Sequence, residues 1–257
     1  MRDDFNYFNK WAKSTLNIDL ESYKEKQLQR RILSVMNSSG AQNLKEYAKL
    51  IENDNEIKKV FLDYITINVT EFYRNKEIFY EFEQVILNRL VPKYKSIKIW
   101  SAACSIGAEP YSIAIIFERN KLIQREKIIA TDIDDNILIR AQTGAFSEHE
   151  VKNVKQDELN KYFTKKDKNY YINSNIKNKV TFKKHDLLLD KYESDFHAIV
   201  CRNVTIYFKN EAKDIIYKKI SEALVSGGIF FTGATESIYN PERFGFNKVS
   251  TFLYEKI

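Results

Sequence analysis

The sequence predicts an α/β protein with a doubly wound, mostly parallel sheet, a small all-α N-terminal domain and a small inserted β-subdomain. From about Ile97 onward, short apolar runs alternate with helical stretches, as in buried parallel strands covered by helices on both faces. In the first 60 or so residues, apolar positions recur at helical spacing, with one glycine and no proline. We therefore predict a helical domain over residues 1–66 and a larger α/β domain over residues 67–257, which includes the linker.

The composition favours a cytoplasmic protein. No apolar run approaches the roughly 20 residues that span a bilayer, and the N-terminus lacks the apolar core of a signal peptide. The formal net charge of +6 favours acidic partners, although the bias of an Asn-, Lys- and Ile-rich composition also explains it. Cys104 and Cys201 are expected to be buried free thiols, and the three histidines lack metal-ligand spacing, so we expect no metal.

One segment of the helical domain, residues 21–36, is amphipathic. Its apolar face consists of Leu28, Ile32, Val35 and Met36. Lys26 and Arg30, one turn apart, point away from that face. This basic stripe is either an ordinary solvated face or a docking surface for an acidic partner.

A stretch over about residues 148–184 is rich in Lys, Asn and Tyr and has no glycine or proline. It is predicted to be an insertion with a short helix and a few strands, because a linker would have a more flexible composition. The strands are expected in NKYFTKKDKNYYIN and in NKVTFKKHD.

The stretch WSAACSIGAEPYSIA, residues 100–114, is predicted to join a buried strand to a helix. Phosphate-binding loops at such junctions use two or three glycines, but here Gly107 alone would allow close approach of a ligand. Glu109 at the start of the helix would repel a pyrophosphate and suit a ligand with a positive charge.

The next strand ends at Asp132, where an acidic side chain typically accepts hydrogen bonds from ribose hydroxyls. Asp132 could instead cap the following helix, but Asp134 or Asp135 is better placed for that. These features predict a ligand that has a ribose and a cationic group but no phosphate. S-adenosylmethionine has these properties. Nicotinamide dinucleotides and ATP fit poorly, and no GxxxxGK[ST] motif is present.

Four separated motifs in this chain resemble those of the chemotaxis receptor methyltransferases, the CheR family. The motifs are INVTEFYR (67–74), WSAACSIGAEPYSIA (100–114), ATDID (130–134) and CRNVTIYF (201–208). The resemblance covers nearly the whole chain and implies the Rossmann-like fold of class I S-adenosylmethionine-dependent methyltransferases. It also implies a protein-glutamate O-methyltransferase that forms glutamyl methyl esters on chemoreceptors, releases S-adenosylhomocysteine, tunes chemotactic adaptation and is recruited to membrane-bound receptor arrays.

The resemblance also implies which residues bind the cofactor. They are Asn68, Thr70, Arg74, Glu109, Asp132, Asp186, Leu187, Arg202 and Asn203. The family's usual GEEP reads here with Ala108 in place of its first Glu. The family's Asn-Leu pair reads Asp186-Leu187, and a carboxylate can accept a hydrogen bond but cannot donate one.

The same resemblance places receptor docking at Lys26 and Arg30. Among the site residues, we assign positioning of the attacked glutamate to Tyr207 and closure of the site to Arg74. Tyr207 could also be an ordinary packed aromatic, and Arg202 could be a structural ion-pair partner. Family members whose inserted subdomain binds a receptor tail peptide generally carry a glycine-containing loop there. This chain has no glycine between Gly144 and Gly227, so we expect that it does not depend on such a peptide.

Two other functions compete with this interpretation. The positive charge also suits a methyltransferase that acts on RNA or DNA, but the segment RNVTIY (202–207) lacks the prolines typical of amino-methylating enzymes. A non-catalytic signalling module could keep the fold and the pocket, but the retained Arg74, Glu109, Asp132 and Asn203 argue against it.

Overall fold

The computed structural model describes residues 2–66 and 69–257. These divide into two compact units. The first comprises Met1–Asn68 with Tyr207–Ile215, and the second comprises Val69–Ile206 with Ile216–Ile257. Within the described ranges, no helix has the length and apolar character needed to cross a bilayer.

The first unit is helical, as predicted. Its main helices are α1 (Arg2–Trp11), α2 (Glu25–Ser38), α3 (Leu44–Asn53) and α4 (Asn55–Thr66). Helices α1, α3 and α4 contribute three buried aromatic side chains that pack together. Phe8 stacks on Tyr47 with ring centroids 6.1 Å apart, and Phe61 meets both rings edge-on. These helices therefore have a core of their own.

Helix α2 has the amphipathic character that the sequence predicts. The four apolar residues of the predicted face, Leu28, Ile32, Val35 and Met36, are all buried. Lys26 and Arg30 are exposed. The basic stripe thus lies on the surface of the first unit, where a partner can reach it.

The second unit contains ten strands. They are β1 (Ile99–Ala102), β2 (Ile128–Asp132), β3 (Ala145–Ser147), β4 (Phe163–Lys166), β5 (Asn169–Ile172), β6 (Val180–Lys184), β7 (Phe196–Cys201), β8 (Leu224–Thr232), β9 (Phe246–Lys248) and β10 (Leu253–Lys256). The main sheet has the order β6-β2-β1-β7-β8-β10-β9. Neighbours from β6 to β8 are parallel, and β10 is antiparallel to β8 and to β9. The predicted doubly wound, mostly parallel sheet is confirmed.

The remaining helices are α5 (Lys76–Val85), α6 (Ala108–Arg119), α7 (Asp135–Thr143), α8 (Glu148–Val151), α9 (Gln156–Tyr162), α10 (Ser174–Lys177) and α11 (Asn210–Ala223). All four residues of β1 are buried, and so are the first ten residues of α6. Continuous burial explains why these segments are mostly apolar without a periodic pattern, with Ser101, Glu109 and Ser112 as buried polar residues.

The small sheet has the antiparallel order β3-β5-β4 and spans residues 145–172. The strands predicted in NKYFTKKDKNYYIN are β4 and β5. The strand predicted in NKVTFKKHD is β6, which pairs in parallel with β2 of the main sheet. Its assignment to the insertion is therefore wrong. The prediction failed because the polar, partly exposed residues of this edge strand are also typical of a strand in a surface subdomain.

Strand β1 marks the point where the order of the main sheet reverses. The chain passes from β1 to β2 on one side, and later returns to β7 on the other side. In open parallel sheets, ligands bind at the carboxyl ends of the strands beside such a point. The loops after β1, β2 and β7 are therefore where a ligand site is expected.

Candidate active site

The loop between β1 and α6 turns several backbone amides into the protein. The N–H of Cys104 donates to the carbonyl of Thr131 at 2.8 Å, and the N–H of Ser105 donates to Asp132 Oδ2 at 2.8 Å. The N–H of Gly107 donates to the carbonyl of Cys104 at 3.0 Å. Phosphate-binding loops keep such amides free for the ligand. This geometry fits a ligand without a pyrophosphate.

Gly107 has a different role from the one that the sequence predicts. Its φ is +86°, and an added Cβ would lie 3.1 Å from Tyr111 Cε2 and 3.2 Å from both Ala141 Cβ and Phe182 Cζ. Glycine is needed there for the left-handed backbone and for close packing of protein side chains. The expectation that Gly107 serves ligand approach is corrected accordingly.

Ser105 has the features of a residue prepared for a ligand. Its φ of 49° lies in the left-handed region, which is unfavourable for a residue with a side chain. Its Oγ is buried and has no hydrogen-bond partner within the described residues. Ser105 is bonded to Asp132 through its N–H, and its hydroxyl lacks a partner among the described residues. A bound ligand could provide that partner.

Glu109 lies in the first turn of α6 and is only 8% exposed. Its Oε1 accepts a hydrogen bond from Ser101 Oγ at 2.8 Å, and its Oε2 lies 3.6 Å from Arg202 Nη1. Burial raises the pKa of the Glu109 carboxyl, while Arg202 and the Ser101 hydroxyl oppose that change. Glu109 is therefore a buried carboxylate with a charged partner, which the sequence did not show.

Arg202, at the end of β7, is 5% exposed and tightly held. Its Nη2 donates to the carbonyl of Arg74 at 2.9 Å and to Asn75 Oδ1 at 3.1 Å. Its guanidinium carbon lies 5.3 Å from the Phe79 ring centroid and 4.6 Å from that of Phe231. Burial lowers its pKa, and the carboxylate partner opposes this. These contacts connect β7 to the segment before α5 and hold Arg202 beside Glu109.

The Glu109–Arg202 pair presents one negative and one positive group at the switch point of the sheet. The methionyl end of S-adenosylmethionine carries an α-ammonium and an α-carboxylate, so a pair of opposite charges suits it better than a lone carboxylate. Arg202 Nε is also buried without an acceptor within the described residues. On these observations, the residues present fit a cofactor with a zwitterionic amino-acid end.

Asp132 is buried at the end of β2. Besides the Ser105 amide, its carboxylate accepts the N–H of Asp134 at 3.2 Å. Burial raises the pKa of Asp132 to about 6. A carboxylate has roughly four acceptor positions, so positions remain for ribose hydroxyls. Asp134 caps α7 by accepting the Asn136 N–H at 2.9 Å, which leaves Asp132 available as expected.

Asp186 and Leu187 follow β6. Asp186 Oδ1 accepts the N–H of Leu188 at 2.7 Å and that of Leu189 at 3.2 Å. The adjacent His185 donates its N–H to the carbonyl of Asp132 at 2.9 Å. The Asp186 side chain thus accepts hydrogen bonds within its own turn, a role that a carboxylate and an amide oxygen both perform.

Glu236, after β8, was missed by the sequence analysis. It is 3% exposed. Its two oxygens accept backbone N–H groups from Asn203, Val204, Thr205, Ile206 and Gly233. Gly233 is needed here because an added Cβ would lie 2.8 Å from the nitrogen of Asn203. One carboxylate thus fixes the loop after β7, and the strand-end rule applied to β8 could have found it.

The other predicted residues are divided between the two units. Asn68 lies outside the described residues. Thr70 and Arg74 are half-buried in the segment before α5, and Arg74 Nη1 donates to the carbonyl of Val69 at 2.9 Å. Tyr207 belongs to the first unit, as do Lys26 and Arg30.

The two cysteines are free and buried, as predicted. Burial raises the pKa of both thiols well above the usual range, which disfavours the nucleophilic thiolate form. Across residues 2–66 and 69–257, no group of three or more His, Cys, Asp or Glu side chains is placed to hold a metal ion.

Two family models match the chain. The model for the SAM binding domain of CheR methyltransferases matches residues 68–253, and the model for their all-alpha domain matches residues 3–66. The chain belongs to the CheR methyltransferase family. A chemotaxis protein methyltransferase of Listeria monocytogenes is 37% identical over 257 residues, 100% of this chain and 98% of that protein. Chemotaxis protein methyltransferase 1 of Pseudomonas aeruginosa is 31% identical over 250 residues, 92% of this chain and 91% of that protein.

The family resemblance that the four motifs indicate is therefore confirmed. As a CheR methyltransferase, the chain carries an S-adenosylmethionine-binding domain of the class I fold and an all-α N-terminal domain. It is an S-adenosylmethionine-dependent methyltransferase of chemotaxis, of the protein-glutamate type.

We expect the affinity for S-adenosylhomocysteine to fall about fourfold between about pH 7.5 and about pH 5.5. Because burial raises the pKa of Asp132 to about 6, its carboxylate is ionised above that pH and protonated below it. The ionised form is the better acceptor for ribose hydroxyls. Titration calorimetry at the two pH values measures the change, and Asp132→Asn should bind weakly with little pH dependence. An equal pH dependence in both proteins would contradict this role.

Glu236→Gln should lower the free energy of unfolding by about 1–3 kcal/mol, because the amide nitrogen cannot accept the buried N–H groups that the carboxylate satisfies. Urea denaturation measures the difference. The matched control is Glu222→Gln, since among the described residues Glu222 makes only an exposed 4.0 Å ion pair with Lys218. That control should change stability by less than about 0.5 kcal/mol. Similar stability of the two variants would show that Glu236 does not hold the loop.

Proposed function

We propose that this CheR methyltransferase transfers a methyl group from S-adenosylmethionine to glutamate side chains in the cytoplasmic domains of chemoreceptors. The products are glutamyl methyl esters, which tune chemotactic adaptation, and S-adenosylhomocysteine. The enzyme would work in the cytoplasm at membrane-bound receptor arrays. No metal is required by this chemistry.

The main support is the match of both CheR domains along the chain, together with full-length relatives named chemotaxis protein methyltransferases. The buried Glu109–Arg202 pair supports a zwitterionic cofactor end at the switch point. The exposed Lys26 and Arg30 on α2 support an acidic protein partner.

The proposed reaction needs alignment more than proton transfer. A glutamate side chain has a pKa of about 4.3, so the nucleophile is already ionised at neutral pH. S-adenosylmethionine would supply the methyl group from its sulfonium to the glutamate oxygen and leave as S-adenosylhomocysteine. The chain's residues must orient the carboxylate and exclude the water that solvates it.

Tyr207 and Arg74 are the side chains that we assign to this positioning. The Tyr207 hydroxyl can donate one directional hydrogen bond to the carboxylate without neutralising it. Arg74 uses Nη1 to hold the Val69 carbonyl, which orders the segment before α5 and leaves other guanidinium donors available. In this proposal, Tyr207 orients the glutamate and Arg74 closes the site.

The function is tested by incubating the protein with methyl-labelled S-adenosylmethionine and a chemoreceptor cytoplasmic fragment. We expect label in the receptor that mild base releases as methanol, because esters hydrolyse and N- or C-methyl groups do not. Peptide mass spectrometry should place the methyl on glutamate. Base-stable label, or label transferred only to added RNA or DNA, would contradict the proposal.

Two variants test the assigned roles of Tyr207 and Arg74 in the same assay. Tyr207→Phe and Arg74→Ala should each reduce the initial rate about tenfold or more, since each removes a hydrogen-bonding group worth at least about 1.4 kcal/mol in the transition state. Near-normal rates in both variants would leave esterification intact but overturn the assigned roles.

The double charge reversal Lys26→Glu with Arg30→Glu should reduce the rate of receptor methylation about tenfold or more at low ionic strength, because steering towards an acidic helix is lost. The difference should shrink at high salt. The matched control reverses two exposed lysines of α3 and α4, Lys49→Glu with Lys59→Glu, and should have a much smaller effect. Equal loss in both variants would indicate a general charge effect and not docking on α2.

A further inference from the structure

Within the first unit, a short backbone pairing connects the segment before α2 to the segment after Ile206. The N–H of Lys24 donates to the carbonyl of Tyr207 at 2.8 Å, and the N–H of Lys209 donates to the carbonyl of Ser22 at 2.8 Å. Between these two bonds, Tyr23 and Phe208 form an antiparallel bridge with ring centroids 4.8 Å apart. The backbone of Tyr207 is therefore held by residues 22–24.

Lys24 connects this pairing directly to α2. It occupies the N-cap position of the helix, and its carbonyl accepts the N–H of Leu28 at 3.1 Å. The Lys24 carbonyl thus accepts the first hydrogen bond of α2, and the Lys24 N–H donates to the carbonyl of Tyr207. A displacement at the start of α2 would be transmitted to Tyr207 through this residue.

Tyr207 also lines a recess together with residues of α2. The recess that contains it is lined by Tyr23, Lys24, Gln27, Leu28, Arg31 and Ile65. Gln27 and Arg31 each follow a residue of the basic stripe, so at about 100° per residue they form the adjacent strip of the helix. Arg31 is fixed there, because its Nε donates to the carbonyl of Tyr64 at 2.9 Å. The strip beside Tyr207 therefore borders Lys26 and Arg30.

We propose that Lys24 is a positioning residue, whose amide places Tyr207 for the attacked glutamate, so that α2 sets both receptor docking and the orientation of the substrate carboxylate. This inference rests on the proposed role of Tyr207. It adds that the orientation of Tyr207 is set by the docking helix of the same unit.

Lys24→Pro removes the amide donor with little other disturbance. Lys24 has φ −63° and ψ 112°, which proline adopts, and the preceding Tyr23 has φ −88° and ψ 158°, which the residue before a proline prefers. The matched control moves the proline by one residue. Glu25→Pro lies at the first position of α2, where the N–H has no intrahelical partner, so proline is tolerated there.

With a chemoreceptor cytoplasmic fragment as substrate, Lys24→Pro should lower kcat about ten- to hundredfold, since misplacement of a positioning group by about 1 Å costs that much. The KM for the fragment should change less than twofold, because Lys26 and Arg30 remain. Glu25→Pro should leave kcat unchanged. In a Tyr207→Phe background, Lys24→Pro should cause no further loss, because the amide acts only through the tyrosine.

An unchanged kcat in Lys24→Pro, an equal loss in Glu25→Pro, or full additivity with Tyr207→Phe would each overturn the inference. Tyr23→Ala provides a second variant that keeps every amide but removes the ring packed on Phe208, and it should also lower kcat with little change in KM. A change confined to KM in this variant would contradict the proposal.

Hydrogen exchange separates this inference from the proposed function. The Lys209 amide, bonded to Ser22, should exchange at least about tenfold faster in Lys24→Pro than in the parent or in Glu25→Pro. If the parent protein methylates no receptor but shows this pattern, the proposed function fails while the link between α2 and Tyr207 stands. If Lys209 exchanges equally in all three proteins, the link itself is wrong.

Discussion

The buried ion pair between Glu109 and Arg202 is the interaction on which the candidate site depends. It joins the first turn of α6 to the end of β7, and Arg202 extends the connection to the backbone before α5. Removing either partner would leave an uncompensated buried charge, which is strongly destabilising. The pair therefore fixes the geometry of the switch point and also gives it a charge distribution suited to an amino-acid end.

Much of this architecture follows from local sequence patterns. Buried parallel strands are continuous apolar runs, so β1, β2, β7 and β8 could be recognised, and the acidic groups at the strand ends followed from strand position. The partners of those groups could not be predicted. Arg202 and Glu109 are distant in the sequence, and their contact depends on the order in which the strands pair.

Three further differences have the same physical origin. Glu236 was missed because its role is to accept amides from a loop about 30 residues earlier, which no local pattern reveals. Gly107 was assigned to the ligand because a glycine at a strand–helix junction usually serves one, but its missing Cβ faces packed side chains of the protein. Strand β6 was placed in the insertion because the polar residues of an edge strand hide its pairing with β2.

We propose that the Glu109–Arg202 pair recognises the amino-acid end of the cofactor, and a comparison of two ligands tests this. Calorimetry should show S-adenosylhomocysteine binding at least about a hundredfold more tightly than 5′-methylthioadenosine, which lacks the amino-acid end, since two charge-assisted hydrogen bonds are lost. Glu109→Gln should reduce that ratio about tenfold or more, whereas Glu118→Gln on the outer part of α6 should preserve it. Equal affinity of the two ligands for the parent protein would show that the pair does not recognise the amino-acid end.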